Sequence, residues 1–178
     1  MDSISFNMIE DILSKVKEID YGWVDQNKII HHSSKRNFFL ENYKLQTIED
    51  TLQYKVGTCW EQVELTRHYC EQYHLNVDTY IIIYNDPDKI ARHSIAIANI
   101  KNKYYYLENA WKDQGKSIEF NSINDILHTV VNNFPRMYKI NNFDIDKIEI
   151  YKYSKPMPGL NYNEFTEHCR KGEKILYG

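Results

Sequence analysis

Cysteine, glycine and proline are all scarce in this chain. The three cysteines among 178 residues, Cys59, Cys70 and Cys169, are an odd and sparse set. That argues against a disulfide framework and for reduced thiols in a cytosol-like compartment. Cys59 and Cys70 fall 11 positions apart on one expected helix, roughly 16 Å at the helical rise and beyond disulfide reach. The six glycines form neither a P-loop nor a Gly-x-Gly-x-x-Gly, so nucleotide binding has no motif to rest on. No Asn-x-Ser/Thr sequon occurs. Apolar runs are too short to span a membrane. Met1-Asp2-Ser3-Ile4 lacks the basic and apolar regions of a secretory leader, so the expected location is cytoplasmic. The net charge of −3 leaves no broad basic surface for nucleic acid. There are no repeats, linkers or low-complexity tracts, and the length suits one domain over 1–178.

The remaining composition is that of a globular protein with many tyrosines. Phe6, Ile9, Ile12, Leu13 and Val16 recur at helical spacing and predict a helix over Ser5–Lys17. A long irregular stretch follows Tyr21-Gly22-Trp23-Val24-Asp25, and its adjacent His31 and His32 read as solvated loop residues, with no further ligand at metal spacing. Phe38, Phe39, Leu40 and Tyr43 suit a short helix or turn, and Gln46–Asp50 a helix start. After the central helix, which extends to about Tyr73, three strands are expected at Val77–Tyr84, Arg92–Ile100 and Lys103–Ala110. Turns are expected at Asn85–Asp88 and Asp113–Gly115. A helix capped by Asn121 or Ser122 should run to Phe134 and end at Pro135. Ile145–Tyr153 alternates as a strand, and Asn161–Arg170 is a terminal helix.

The chemistry concentrates at Val56-Gly57-Thr58-Cys59-Trp60-Glu61. Thr58 and Glu61 form a capping box, which makes Thr58 the N-cap and Cys59 the first helical residue. Unpaired N–H groups and the helix dipole favour a thiolate there, opposed slightly by the nearby Glu61 charge. Gly57 lets the backbone come close. Cys59, Val63, Thr66, Cys70 and Tyr73 share the core-facing stripe, and Glu64, Arg67, His68 and Glu71 are expected to be solvated. An isolated cysteine is more often a small buried hydrophobe than a nucleophile, so partners matter. If Lys101-Asn102 is a two-residue hairpin turn, paired positions sum to 203 and Glu108 lies opposite Ile95. His93, two residues before Ile95, then shares a face with Glu108 as a diagonal neighbour. A slip of one residue would exchange Glu108 for Asn109. A carboxylate that orients one imidazole nitrogen leaves the other to take a proton from a thiol.

Gly57-Thr58-Cys59-Trp60, His93-Ser94-Ile95-Ala96-Ile97 and Tyr104-Tyr105-Tyr106-Leu107-Glu108-Asn109-Ala110-Trp111 together resemble the transglutaminase-like superfamily of papain-type thiol enzymes. The resemblance covers about Gln53–Trp111, a third of the chain. The flanks look like those of small bacterial members of unassigned function. The family's usual acid is Asp; here Glu108 is one methylene longer. The resemblance implies an α+β fold with a papain-like core, in which the cysteine helix packs on an antiparallel sheet. It also implies acyl transfer through a thioester, with Cys59 as nucleophile, His93 as proton shuttle and Glu108 as its orienting acid. The oxyanion hole would use the Cys59 N–H and a side-chain donor, either Trp23 or Gln53. Trp60 and Trp111, which flank the motifs, are candidates to bind substrate. Neither a metal nor an organic cofactor is needed. The expected partner is a peptide, protein or small amide, and the expected activity is that of a peptidase, amidase or deamidase. The same residues would serve a protein-glutamine transferase, and the same fold a non-enzymatic binding module.

Overall fold

The computed structural model describes residues 3–111 and 118–177; the turn expected at Asp113–Gly115 lies outside them. In chain order the first half contains α1 (Ser3–Val16), β1 (Asp20–Tyr21), β2 (Trp23–Val24), β3 (Ile30–His31), α2 (Arg36–Asn42), α3 (Ile48–Tyr54), β4 (Val56–Gly57) and α4 (Cys59–Gln72). The second half contains β5 (Asn76–Asp86), β6 (Lys89–Ile100), β7 (Lys103–Leu107), β8 (Ile118–Phe120), α5 (Ile123–Tyr138), β9 (Ile148–Tyr153), α6 (Tyr162–Arg170) and β10 (Glu173–Ile175).

The β-branched and aromatic run around Ile81-Ile82-Ile83 becomes the centre of an antiparallel sheet of order β10-β9-β5-β6-β7-β8. Strand alternation divides its side chains between two cores. Ile81, Ile83, Ala96, Ala98 and Leu107 face α4, which is itself backed by Ile9, Ile12 and Val16 of α1 and Phe165 of α6. Ile82, Ile95, Ile97 and Tyr106 face α5 through Ile126, Val130 and Phe134. A fully buried isoleucine or phenylalanine here contributes about 1.5–3 kcal/mol. The fold is therefore α+β, with a helix packed on each face of an antiparallel sheet.

Two sheet details position the site. Lys101 and Asn102 both have positive φ, 51° and 63°, the conformation of a two-residue hairpin turn. The resulting register pairs Ile100 with Lys103 and Ala96 with Leu107, as the sum of 203 requires. That ladder stops at Ala96–Leu107, whereas β6 continues beside β5 as far as the Asp86–Lys89 pair. The Lys89–Ile95 part of β6 thus extends past the end of β7.

Several expectations are corrected. Glu64 and Arg67 are buried, not solvated, because α4 is enclosed by the sheet, α1 and α6. They pair at 3.0 Å, and Arg67 also donates to Thr79. His31 pairs with Asp25 at 3.0 Å and stacks on Trp23, so it anchors the β2–β3 ladder instead of standing in solvent. α5 continues through Pro135 to Tyr138. Proline removes only its own N–H, and later residues still close their bonds: the Lys139 N–H caps the helix on the Pro135 carbonyl. Ile145–Lys147 forms a short 3-10 turn before β9, and β10 was not expected.

Candidate active site

Cys59 is fixed by a short chain of local necessities. β4 pairs in parallel with β1, Tyr21 opposite Gly57, and the Gly22 N–H reaches the Gly57 carbonyl at 3.2 Å. A Cβ on Gly57 would fall 2.7 Å from the Cβ of Glu61, so no larger residue fits this turn. The capping box is present. Glu61 Oε2 accepts from the Thr58 N–H at 2.8 Å and the Thr58 hydroxyl at 2.6 Å. Its Oε1 accepts from the Tyr43 hydroxyl at 2.5 Å and the Gln46 N–H at 3.3 Å. Cys59 follows as the first residue of α4, 6% exposed.

The helix start does not leave Cys59 as a thiolate. Burial pushes the thiol up to about 12, and the Glu108 and Glu61 charges add to the rise. The Ser94 N–H and the Cys59 N–H, both against the sulfur, pull the other way and are outweighed. The resting group is a protonated thiol. The dipole of a helix end is worth about 0.3–1 kcal/mol, less than the cost of enclosing a charge that water no longer reaches.

The hairpin register places His93 beside Glu108. His93 Nε2 and Glu108 Oε2 lie 2.6 Å apart, with both side chains buried. The same oxygen accepts from the Tyr106 hydroxyl at 2.7 Å, and Oε1 from the Trp111 N–H at 3.1 Å. Burial works to raise the Glu108 carboxyl, but His93, Tyr106 and the Trp111 N–H together hold it below its ordinary value. Trp111 lies flat on the imidazole, ring centroids 3.9 Å apart and planes 6° from parallel. The pair is thus locked in plane from one side and by hydrogen bonds along its edge. Asn109 points elsewhere: its amide donates to the Val16 carbonyl at 3.1 Å and to Gln62 Oε1 at 3.0 Å, tying the end of α1 to α4.

His93 and Glu108 project to the α5 side of the sheet, and Cys59 arrives with α4 on the other. Beyond the end of β7 the sulfur rests on the N–H of Ser94, the residue after His93, so the backbone of β6 lies between the thiol and the imidazole's face of the sheet. Cys59 and Glu108 border one small internal gap there, with Ser94 and Asn109.

No protein-family model matches the chain, and no curated protein matches it.

The other sequence-derived candidates are placed differently. Trp23 is buried among His31, Phe38, Phe39 and Tyr43, and its Nε1 donates to Ser34 at 3.3 Å. Gln53 is exposed on α3, outside the residues that line the cavity at Cys59. Trp111 supports His93 from within the core instead of facing a ligand. Trp60 stacks on Phe165 with centroids 4.1 Å apart, yet one edge still forms cavity wall.

That cavity, about 280 Å3, opens on Cys59 between α2, the start of β6, the end of α5 and the start of α6. Sequence reasoning missed several of its residues. Tyr21 is 46% exposed and lines the cavity with Cys59; burial of its phenol, then the Cys59 and Glu61 charges, pushes it up. Tyr138 donates to the Arg92 carbonyl at 2.5 Å. Tyr106, which lies outside the cavity and bonds Glu108, precedes it by two positions, so its place on the Glu108 side follows from strand alternation. Tyr21 and Tyr138 had no local signal. Among the described residues no group of three or more His, Cys, Asp or Glu is placed to hold a metal ion.

Proposed function

We propose that this chain is a cysteine-dependent acyl-transfer enzyme of the amidase or peptidase kind, built on a papain-like, transglutaminase-like core. The observation that carries the reading is the buried His93–Glu108 pair, 2.6 Å apart and stacked under Trp111, one residue before the Ser94 N–H that meets the Cys59 sulfur. A core histidine needs one acceptor; this one has a carboxylate held by two further donors and a rigid aromatic backing.

The chemistry follows from the arrangement. Glu108 accepts from His93 Nε2–H, which leaves Nδ1, the ring nitrogen nearer the backbone, as the base. Because the resting thiol is protonated, Nδ1 takes the proton as sulfur attacks the substrate carbonyl. The Cys59 N–H at the helix start receives the oxyanion. The Tyr21 hydroxyl, kept protonated by its raised pKa, is the second donor, in place of Trp23 or Gln53. The imidazolium formed is stabilised by Glu108 and protonates the leaving amine. This leaves a thioester, which water activated by His93 hydrolyses to the acid, releasing the thiol. An amine in place of water would give transfer. The substrate class is a peptide, protein or small amide. The three unpaired cysteines fit a reducing, cytoplasmic setting, and among the described residues no helix is long and apolar enough to cross a membrane.

The test is a library of amide, peptide and glutamine acyl donors incubated with the protein, with and without added primary amine, products read by mass spectrometry. Acid or amide products that disappear in Cys59→Ala support the reading. A library left untouched, with Cys59 unmodified by every donor, contradicts it.

A further inference from the structure

The cavity at Cys59 is cationic. Arg36, Lys89 and Arg92 line it, and among the described residues no acidic one does. The two carboxylates nearest the cysteine are committed: Glu61 to Tyr43, Gln46 and Thr58, and Glu108 to His93, Tyr106 and the Trp111 N–H. Among the described residues, no lining side chain is therefore an acidic counter-ion for the three bases.

Arg92 is the most informative of them. It precedes His93 on β6, so strand alternation sends it to the opposite face, the side of α4 and Cys59. Its guanidinium lies over the Tyr162 ring, 4.2 Å from the centroid, which fixes its plane. Its Nε and Nη1 are buried and have no hydrogen-bond partner. Donors removed from water are ordinarily satisfied, and a charged group left unsatisfied is the more costly case. Burial weighs against its charge, the Tyr162 hydroxyl supports it with a hydrogen bond, and Arg170 and Arg36 both act on it as like charges. Arg170 is neutralised by Glu149 and Glu167, whereas the bond from Arg36 goes to the Ile90 carbonyl, which carries no charge. The fold thus holds two arginines at one cavity wall, with donors of the inner one left open.

We propose that this cavity is an acidic subsite: the acyl donor carries a carboxylate near the carbonyl that Cys59 attacks, and Arg92 receives it, with Arg36 and Lys89 at the mouth. This rests on Cys59 being the nucleophile. The volume of about 280 Å3 lies at the small end of ligand pockets and suits a short acidic acyl group, such as an acidic side chain or chain-terminal carboxylate. Guanidinium groups recognise carboxylates through directed, charge-assisted hydrogen bonds.

Iodoacetate and iodoacetamide test this directly, because the thiol displaces iodide from both and only the charge differs. Second-order rates at Cys59 are read by peptide mass spectrometry on the full chain, and the iodoacetate-to-iodoacetamide ratio is referred to that of glutathione. The expected ratio exceeds the glutathione value by about tenfold or more and falls with added salt. Arg92→Gln should lower it by about tenfold, and Arg36→Gln by less. Arg36 is exposed, so its variant keeps the test intact if Arg92→Gln fails to fold. A wild-type ratio at or below that of glutathione, or one unchanged in the folded variants, overturns the acidic subsite and leaves Cys59 as nucleophile. Failure of both reagents to label Cys59, or equal rates in His93→Ala, overturns the acyl-transfer reading itself.

Discussion

Glu108→Gln is the most discriminating single change. The carboxylate accepts three hydrogen bonds, two on Oε2 from His93 and Tyr106 and one on Oε1 from the Trp111 N–H. Glutamine supplies one acceptor oxygen and one NH2. With its oxygen toward His93 and Tyr106, its NH2 confronts the Trp111 N–H, donor against donor; flipped, it confronts two donors. The better orientation still loses one bond and leaves a buried N–H unsatisfied, about 1–3 kcal/mol. At about 2 kcal/mol, a chain of this length should melt about 4–8 °C lower. The kinetic effect is separate, since an amide orients the imidazole but does not stabilise imidazolium. Acylation should slow by on the order of 10- to 1000-fold. Acid stability gives a third readout. Because the folded Glu108 pKa lies below its ordinary 4.5, its contribution is complete above that value and is lost as pH falls through the lower folded one. Glu108→Gln should therefore flatten the acid limb of a denaturant-stability profile. The assay is acylation by an activated ester under single-turnover conditions, after circular dichroism shows a native fold. A folded Glu108→Gln that acylates at the wild-type rate would make Glu108 an ordinary core carboxylate and refute the reasoning.

Tyr21→Phe removes the proposed second oxyanion donor and should cut the acylation rate by about 100-fold with little change in melting temperature; an unchanged rate would remove Tyr21 from the mechanism. Asn109→Ala should lower stability by about 1–3 kcal/mol, since it leaves the Val16 carbonyl and Gln62 Oε1 short of a donor. In the folded fraction its acylation rate should stay near wild type, and a dead but folded Asn109→Ala would give the orienting role to the asparagine. Alkylation of free Cys59 by iodoacetamide should keep rising beyond pH 9, because burial pushes the thiol up to about 12. A rate plateau already reached at pH 5–7 would show a resting thiolate and contradict the burial argument.

The features legible in advance were those governed by local rules. A capping box needs only Thr58 and Glu61, and a two-residue turn needs only residues that tolerate positive φ, so Cys59 at a helix start and Glu108 on the His93 face could both be read from spacing. The surroundings of α4 could not. Whether Glu64 and Arg67 meet water depends on α1 and α6, which come from the two ends of the chain. The same holds for the thiol: the helix dipole is visible in sequence, whereas the enclosure that overrides it is tertiary. Tyr21 reaches Cys59 only because β1 pairs with β4, a two-residue ladder with no periodicity to betray it. The unpartnered donors of Arg92 likewise emerge only when β6, α2 and α6 are brought together.

The central claim is that Cys59 attacks an acyl carbon with His93 as its base. The most direct measurement is intact-protein and peptide mass spectrometry after millisecond mixing with a p-nitrophenyl ester, comparing wild type, Cys59→Ser and His93→Ala. One acyl group should appear on the Cys59 peptide as a hydroxylamine-labile thioester, with Cys70 and Cys169 unlabelled, and the burst should fall by about 100-fold or more in His93→Ala. Labelling of Cys70 or Cys169 before Cys59, or a burst that survives His93→Ala undiminished, would contradict it.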